Sequence, residues 1–119
     1  MRTGLSVIIV GALLVLQSCN SELRGLKKPD NLIPKEQMVD IMTDMLILEG
    51  HIQKTYSTVN RYYKVMSASG RNYLKSRHVS QEQYERSLAY YSCNNDEYRG
   101  MMEEVMENLQ KESIELQKK

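Results

Sequence analysis

The sequence has no tryptophan and no phenylalanine. Any core must draw its large side chains from 8 Tyr and 8 Met. Methionine is flexible and fills irregular gaps, whereas each buried tyrosine brings a hydroxyl that needs a partner. Proline occurs twice and cysteine twice in 119 residues. So few cysteines exclude a disulfide scaffold and a cysteine-rich metal cluster. The glycines are scattered and form no phosphate-cradling loop. No stretch alternates with period two over a useful length, and neither a repeat nor a low-complexity tract is present.

A surplus of either charge is missing too. The chain has 16 Lys and Arg against 15 Asp and Glu, and of these only Arg2 precedes Cys19. The chain from Cys19 onward is therefore formally neutral. That argues against nucleic-acid binding, which normally shows a basic surplus. It argues equally against electrostatic adhesion to anionic lipid.

What is present begins with Arg2 and a continuous apolar run, Leu5 to Leu16. Twelve helical residues span about 18 Å, short of the ~30 Å hydrocarbon core of a bilayer. The length suits a signal-peptide apolar region rather than a permanent span. The run ends in Leu16-Gln17-Ser18-Cys19. An aliphatic residue, a tolerant position, a small residue and then cysteine resemble a lipobox. The small residue admits the peptidase, and the thiol takes a diacylglyceryl group as a thioether. The expectation is a signal peptide over 1–18, cleavage before Cys19 and lipidation of Cys19. Two or three acyl chains anchor stably, where a single chain holds only marginally. Asn20-Ser21-Glu22 comes next, with no Asp beside the cysteine. The expected address is the cell envelope, at the outer membrane facing the periplasm. Cys93 then has no intramolecular partner in an oxidising compartment. It is either buried and inert or open to an intermolecular bond.

Residues 19–33 read as a lipidated N-terminus and flexible tether, and 34–119 as the folded helical domain. About 100 residues are enough for one modest core. Pro34 suits the first turn of a helix, where a missing N–H costs nothing. A first helix runs from Pro34 to the high fifties with a possible break at Gly50. Its apolar face is Met38, Ile41, Met42, Met45, Leu48 and Ile52. A second spans Arg61 to Lys75 with Tyr62, Val65, Met66, Ser69 and Tyr73 on one stripe. Ser80 with Gln83 forms a capping-box signature for a short third helix carrying Tyr84, Leu88 and Tyr91. After Cys93, either Asn94 with Glu97 or Asn95 alone caps a fourth helix. Its apolar side is Tyr98, Met101, Met102, Val105, Met106, Leu109 and Leu116, and its charged end frays or projects. The fold class is all-α, a small bundle of about four helices.

Two blocks of this chain resemble a known family. One is Lys28-Pro29-Asp30-Asn31-Leu32-Ile33-Pro34-Lys35, with Met38-Val39-Asp40-Ile41, Asp44-Met45 and Leu48-Glu49. The other is Gln83-Tyr84, Ser87-Leu88 and Tyr90-Tyr91. Both are similar to small lipoproteins of the Bacteroidetes in domain-of-unknown-function family 4296. The likeness covers Pro29 to about Leu109 and departs at Gly50-His51. It implies a helical fold, a lipid anchor and an envelope location, and it implies no activity.

Few residues suggest chemistry. Glu36, Asp40, Asp44 and His51 share one polar sector of the first helix. His51 lies about 16 Å along the axis from Asp40, too far to share an ion. A solvated face is the expectation, with no metal and no cofactor. Arg61-Tyr62-Tyr63-Lys64 interleaves basic and aromatic residues but lacks a wider positive field, so packing is expected there rather than base stacking. Ser87 has no His or Lys arrangement that would make it a nucleophile. Glu49 differs, because it projects near the middle of the Met38/Met45/Ile52 face. A carboxylate there must be paired, hydrogen-bonded or protonated, unless Gly50 ends the helix and lets it swing to water. Tyr62, Tyr91 and Arg86 are its candidate partners. Glu49, Asp44 and Tyr91 are the expected polar site. The functional expectation is a non-catalytic helical interaction module that binds an envelope protein. The alternative is a small-molecule or lipid-binding lipoprotein with a pocket between helices.

Overall fold

The computed structural model describes residues 26–118. The apolar run, the lipobox and Cys19 lie outside the described residues. Within them the chain forms four helices and no strand, as the periodicity requires. They are α1 (Lys35–Thr55), α2 (Val59–Ser76), α3 (Gln81–Ser92) and α4 (Asn95–Gln117). Helix α1 is central, packed on one side by α4 and on the other by α2, while α3 bridges α2 and α4.

Because α1 is covered from two sides, it buries a wider arc than one stripe. Val39 and Thr43 are buried along with Met38, Ile41, Met42 and Ile52. Met45 and Leu48 are only half-buried. The Thr43 hydroxyl donates to the Val39 carbonyl at 2.9 Å, so its polarity is absorbed within the helix. Gly50 does not break α1. Its backbone stays helical and the helix continues one turn further to Thr55. A glycine in a helix costs about 1 kcal/mol relative to alanine, too little to stop a helix held on two sides. Pro34 stands one residue before the helix proper, and its carbonyl accepts the Met38 N–H at 2.8 Å.

The α2–α3 corner is the most constrained turn. His78 has φ 58°, the left-handed region. The His78 N–H bonds the Lys75 carbonyl at 3.1 Å and the Val79 N–H reaches the Leu74 carbonyl at 3.0 Å. These two bonds form a Schellman ending, which normally places glycine at the left-handed position. Its accompanying apolar contact is supplied by Val79 and Leu74, both in the core. Ser80 then caps α3, accepting the Gln83 N–H at 3.1 Å. The box is not reciprocal. Gln83 Nε2 donates instead to the Asn31 carbonyl at 2.8 Å, which ties α3 to the segment before α1. At α4, Asn94 occupies the cap position, but its side chain donates to Glu97 at 3.1 Å rather than accepting a backbone N–H.

Ile33, Met38, Ile41, Met101 and Val105 are fully buried and form the centre of the core. Helix α4 outruns this core. Lys35 at the start of α1 meets Glu104 at 2.9 Å, and beyond that level every residue from 110 to 118 is exposed. The end projects as a continuous helix to Gln117. Met106 and Leu116, expected on the buried side, are 52% and 62% exposed, Met106 because it turns away from the face that Val105 and Leu109 pack, and Leu116 because it lies beyond the core.

Candidate functional site

Three surfaces could carry function, and the expected polar residues fall among them without coming together. The first is the join between the tether and α3. Ile33 is fully buried. Its N–H donates to Ser87 Oγ at 3.1 Å, and its carbonyl accepts the Tyr91 hydroxyl at 2.7 Å. Tyr91 is thus a structural clamp and takes no part in a site with Glu49. Burial pushes its hydroxyl pKa up, with Glu97 adding to the shift. Its ring meets Tyr90 edge-on at 5.6 Å, one ring in the core and one at the rim. Ser87, unpromising as a nucleophile, is a fully buried anchor for the peptide of Ile33. A small polar residue between Tyr84 and Tyr91 on the buried face of α3 was the available signal.

The second surface is the α1–α2 seam. The Tyr73 hydroxyl donates to Asp44 Oδ2 at 2.5 Å. Burial raises the Tyr73 pKa well above the ordinary tyrosine range, and the Asp44 carboxylate raises it further. Asp44 is therefore half-buried against α2, whereas Glu36, Asp40 and His51 stay exposed. Asp40 lies 4.0 Å from Arg77. Among the described residues no three His, Cys, Asp or Glu side chains converge.

The third surface is a groove where all four helices meet. One depression of about 250 Å³ is lined by Met42, Met45, Met66, Leu88, Tyr98 and Met102, together with Leu46, Tyr84 and Glu49. A second, of about 220 Å³, adjoins it and shares Met45, Met66 and Tyr84. It continues along α2 and α3 past Gly70 and Leu74. The Cβ of an alanine at position 70 would stand 3.3 Å from the Met45 methyl, close enough that the Met45 side chain would have to shift slightly. Together the two depressions form a methionine-walled track open to solvent. Burial raises the pKa of the Tyr84 hydroxyl, so its ring sits in the wall as a neutral group.

Glu49 stands at one end of the track. Its Oε1 accepts the Tyr62 hydroxyl at 2.7 Å and Gln53 Nε2 at 3.3 Å. Of the candidate partners, Tyr62 is the actual one, and Arg86 pairs instead with Glu82 at 3.6 Å. The bond to Glu49 raises the Tyr62 pKa, so the phenol remains a donor. Glu49 is neither a frayed helix-end residue nor buried, since α1 runs on past it. Tyr62 and Tyr63 pack edge-on at 5.2 Å. Cys93 is half-buried at the end of α3 and carries no disulfide.

A larger depression of about 490 Å³ lies at the α2–α3 corner, lined by Arg71, Lys75, His78, Val79, Ser80 and Gln81. It is a shallow outer surface whose backbone groups are already used by the Schellman ending and the Ser80 cap. The methionine track is the better candidate, being concave and mainly apolar, with Glu49 the one charge in its 250 Å³ part and Arg71 and Glu85 at the rim of the other.

No helix among the described residues is long and apolar enough to cross a membrane. No curated protein and no solved structure matches the chain. Residues 29–115, well over half of the chain, match the profile of a family described as "Domain of unknown function (DUF4296)", and the chain belongs to that family.

Proposed function

We propose that this protein is a lipid-anchored lipoprotein of the cell envelope whose helical body is a non-catalytic docking module. On this reading Cys19 carries the acyl chains, and the body faces the periplasm from the outer membrane. The occupant of its groove is an amphipathic helix of another envelope protein.

The observation that carries the docking reading is the track itself. Four methionines, Met42, Met45, Met66 and Met102, line one open depression where all four helices meet. Flexible thioethers adapt to varied apolar side chains, which is why methionine is over-used at binding surfaces. Laying an apolar helix face into a groove is a common recognition mode. The two depressions, about 250 and 220 Å³, are each smaller than the roughly 300 Å³ at which ligand pockets begin, and both open outward. That favours an elongated segment over an enclosed small molecule or lipid. The anchor reading is supported by the apolar run and the Leu16-Gln17-Ser18-Cys19 string.

The test is photo-crosslinking in whole cells. A crosslinking residue replaces Leu88 in the groove or, as control, exposed Asn72. The expected result is a discrete adduct from position 88 alone, mapped by mass spectrometry to an amphipathic helix. Equal labelling from both positions, or an adduct mapping to no helix, contradicts the docking reading.

A further inference from the structure

The methionine track is not uniformly apolar, and the one charge in its larger part makes no ion pair. Glu49 is the only charged residue lining the 250 Å³ depression. Both of its hydrogen bonds fall on the same oxygen, Oε1. Its Oε2 accepts no hydrogen bond among the described residues. Glu49 also makes no ion pair within 4.0 Å there, although four other acidic side chains do. A half-buried carboxylate beside thioethers and rings has lost part of its hydration, and no protein cation replaces it. The Tyr62 hydroxyl, at 2.7 Å, holds Oε1 in place and leaves Oε2 without a hydrogen-bond partner among the described residues.

We infer that the groove is selective for a cation. Its occupant is an amphipathic helix that seats apolar side chains between Met42, Met45, Met66 and Met102 and carries one Lys or Arg placed to reach Glu49 Oε2. This rests on the docking reading and adds the chemistry of the partner. Charge complementarity at a partly desolvated site sets register and rejects wrong partners, because an acidic or neutral residue at that position leaves Glu49 facing a like charge or nothing. The apolar wall supplies contact area that tolerates variation, and the carboxylate supplies the discrimination. Tyr62 is a positioning residue in this scheme, since it acts through the Glu49 carboxylate.

The test uses the full mature lipoprotein in lipid nanodiscs and defined probes. A fluorescent 14-residue amphipathic Leu/Ala helix is made with a single Lys at each of four successive positions. Each probe has a twin with norleucine in place of that Lys. The expected result is that at least one Lys probe binds about tenfold more tightly than its twin, equivalent to about 1.4 kcal/mol. That preference is lost in Glu49→Gln and weakened by salt. It persists in Glu103→Gln, which changes an exposed acid on α4. Glu49→Gln keeps an oxygen for Tyr62, and an unchanged circular dichroism spectrum shows that it folds. If all Lys probes and their twins bind equally, the cation proposal fails while the docking reading stands. If neither kind binds, both fail.

Discussion

Tyr91 on α3 donates its hydroxyl to the main-chain carbonyl of Ile33 at 2.7 Å, while Ser87 one turn earlier accepts the N–H of the same residue. Ile33, expected in a flexible tether, is thereby locked to the third helix. Removing one partner orphans a buried backbone group, which costs about 1–3 kcal/mol. Tyr91→Phe and Ser87→Ala are each expected to lose stability in that range in urea unfolding of the mature protein. The double variant should lose less than the two separate losses combined, because both act on one segment. Additive losses would mean that the two bonds are independent.

His78 adopts a left-handed backbone that costs a non-glycine residue about 1–2 kcal/mol. His78→Gly is expected to raise the unfolding free energy by about 1 kcal/mol, the strain it relieves being partly offset by the greater freedom of glycine in the unfolded chain. Ser80→Ala, two residues on, removes the α3 cap and should lower it by about 1 kcal/mol. Opposite signs from neighbouring positions in one turn are the check.

The three described glycines lie inside helices and differ in surroundings. Nothing stands within 4 Å of a Cβ at Gly50 or Gly100, whereas the Met45 methyl stands 3.3 Å from one at Gly70. Gly50→Ala and Gly100→Ala are expected to stabilise by about 0.5–1 kcal/mol. Gly70→Ala should gain less, since the Met45 side chain must shift, and it should narrow the groove. Equal gains at all three positions in thermal unfolding would mean that the Met45 side chain shifts at no cost.

Alkaline pH tests the α1–α2 seam. The folded Tyr73 pKa lies above its unfolded value of about 10, so the folded state keeps a proton that the unfolded chain releases. The resulting stability is fully present below pH ~10 and is lost as pH rises beyond that toward the folded value. Melting temperatures are expected to fall above pH ~10, and Tyr73→Phe should flatten part of that fall. An unchanged slope in the variant would remove Tyr73 as a source.

Much of this fold can be read from periodicity and caps. The spacing of Met38, Ile41 and Met42 announces the buried face of α1, and Ser80 with Gln83 announces α3. What could not be read depends on which helices meet. Nothing local tells that α1 is covered on both sides, so the burial of Val39 and Thr43 and the continuity through Gly50 stay hidden. The same holds for Met106, at the edge of the face that Val105 and Leu109 bury, and for Leu116, which lies beyond the core. Glu49 stands out as a carboxylate on an apolar face, and Tyr62 is one of its legible candidate partners. Asp44 looks like part of a solvated sector until α2 brings Tyr73 against it. Tyr91 is drawn away from Glu49 by the backbone of Ile33, a main-chain acceptor that no side-chain pattern reveals.

On the proposed function a helical body is held at a membrane by the lipid on Cys19, and the intact mass of the protein extracted from membranes tests this most directly. The predicted mass is that of residues 19–119 plus a diacylglyceryl group and an N-linked acyl chain, with the acyl additions confined to the peptide that begins at Cys19. A chain cleaved elsewhere, or one starting at Cys19 and released into the medium without fatty acids, would contradict it.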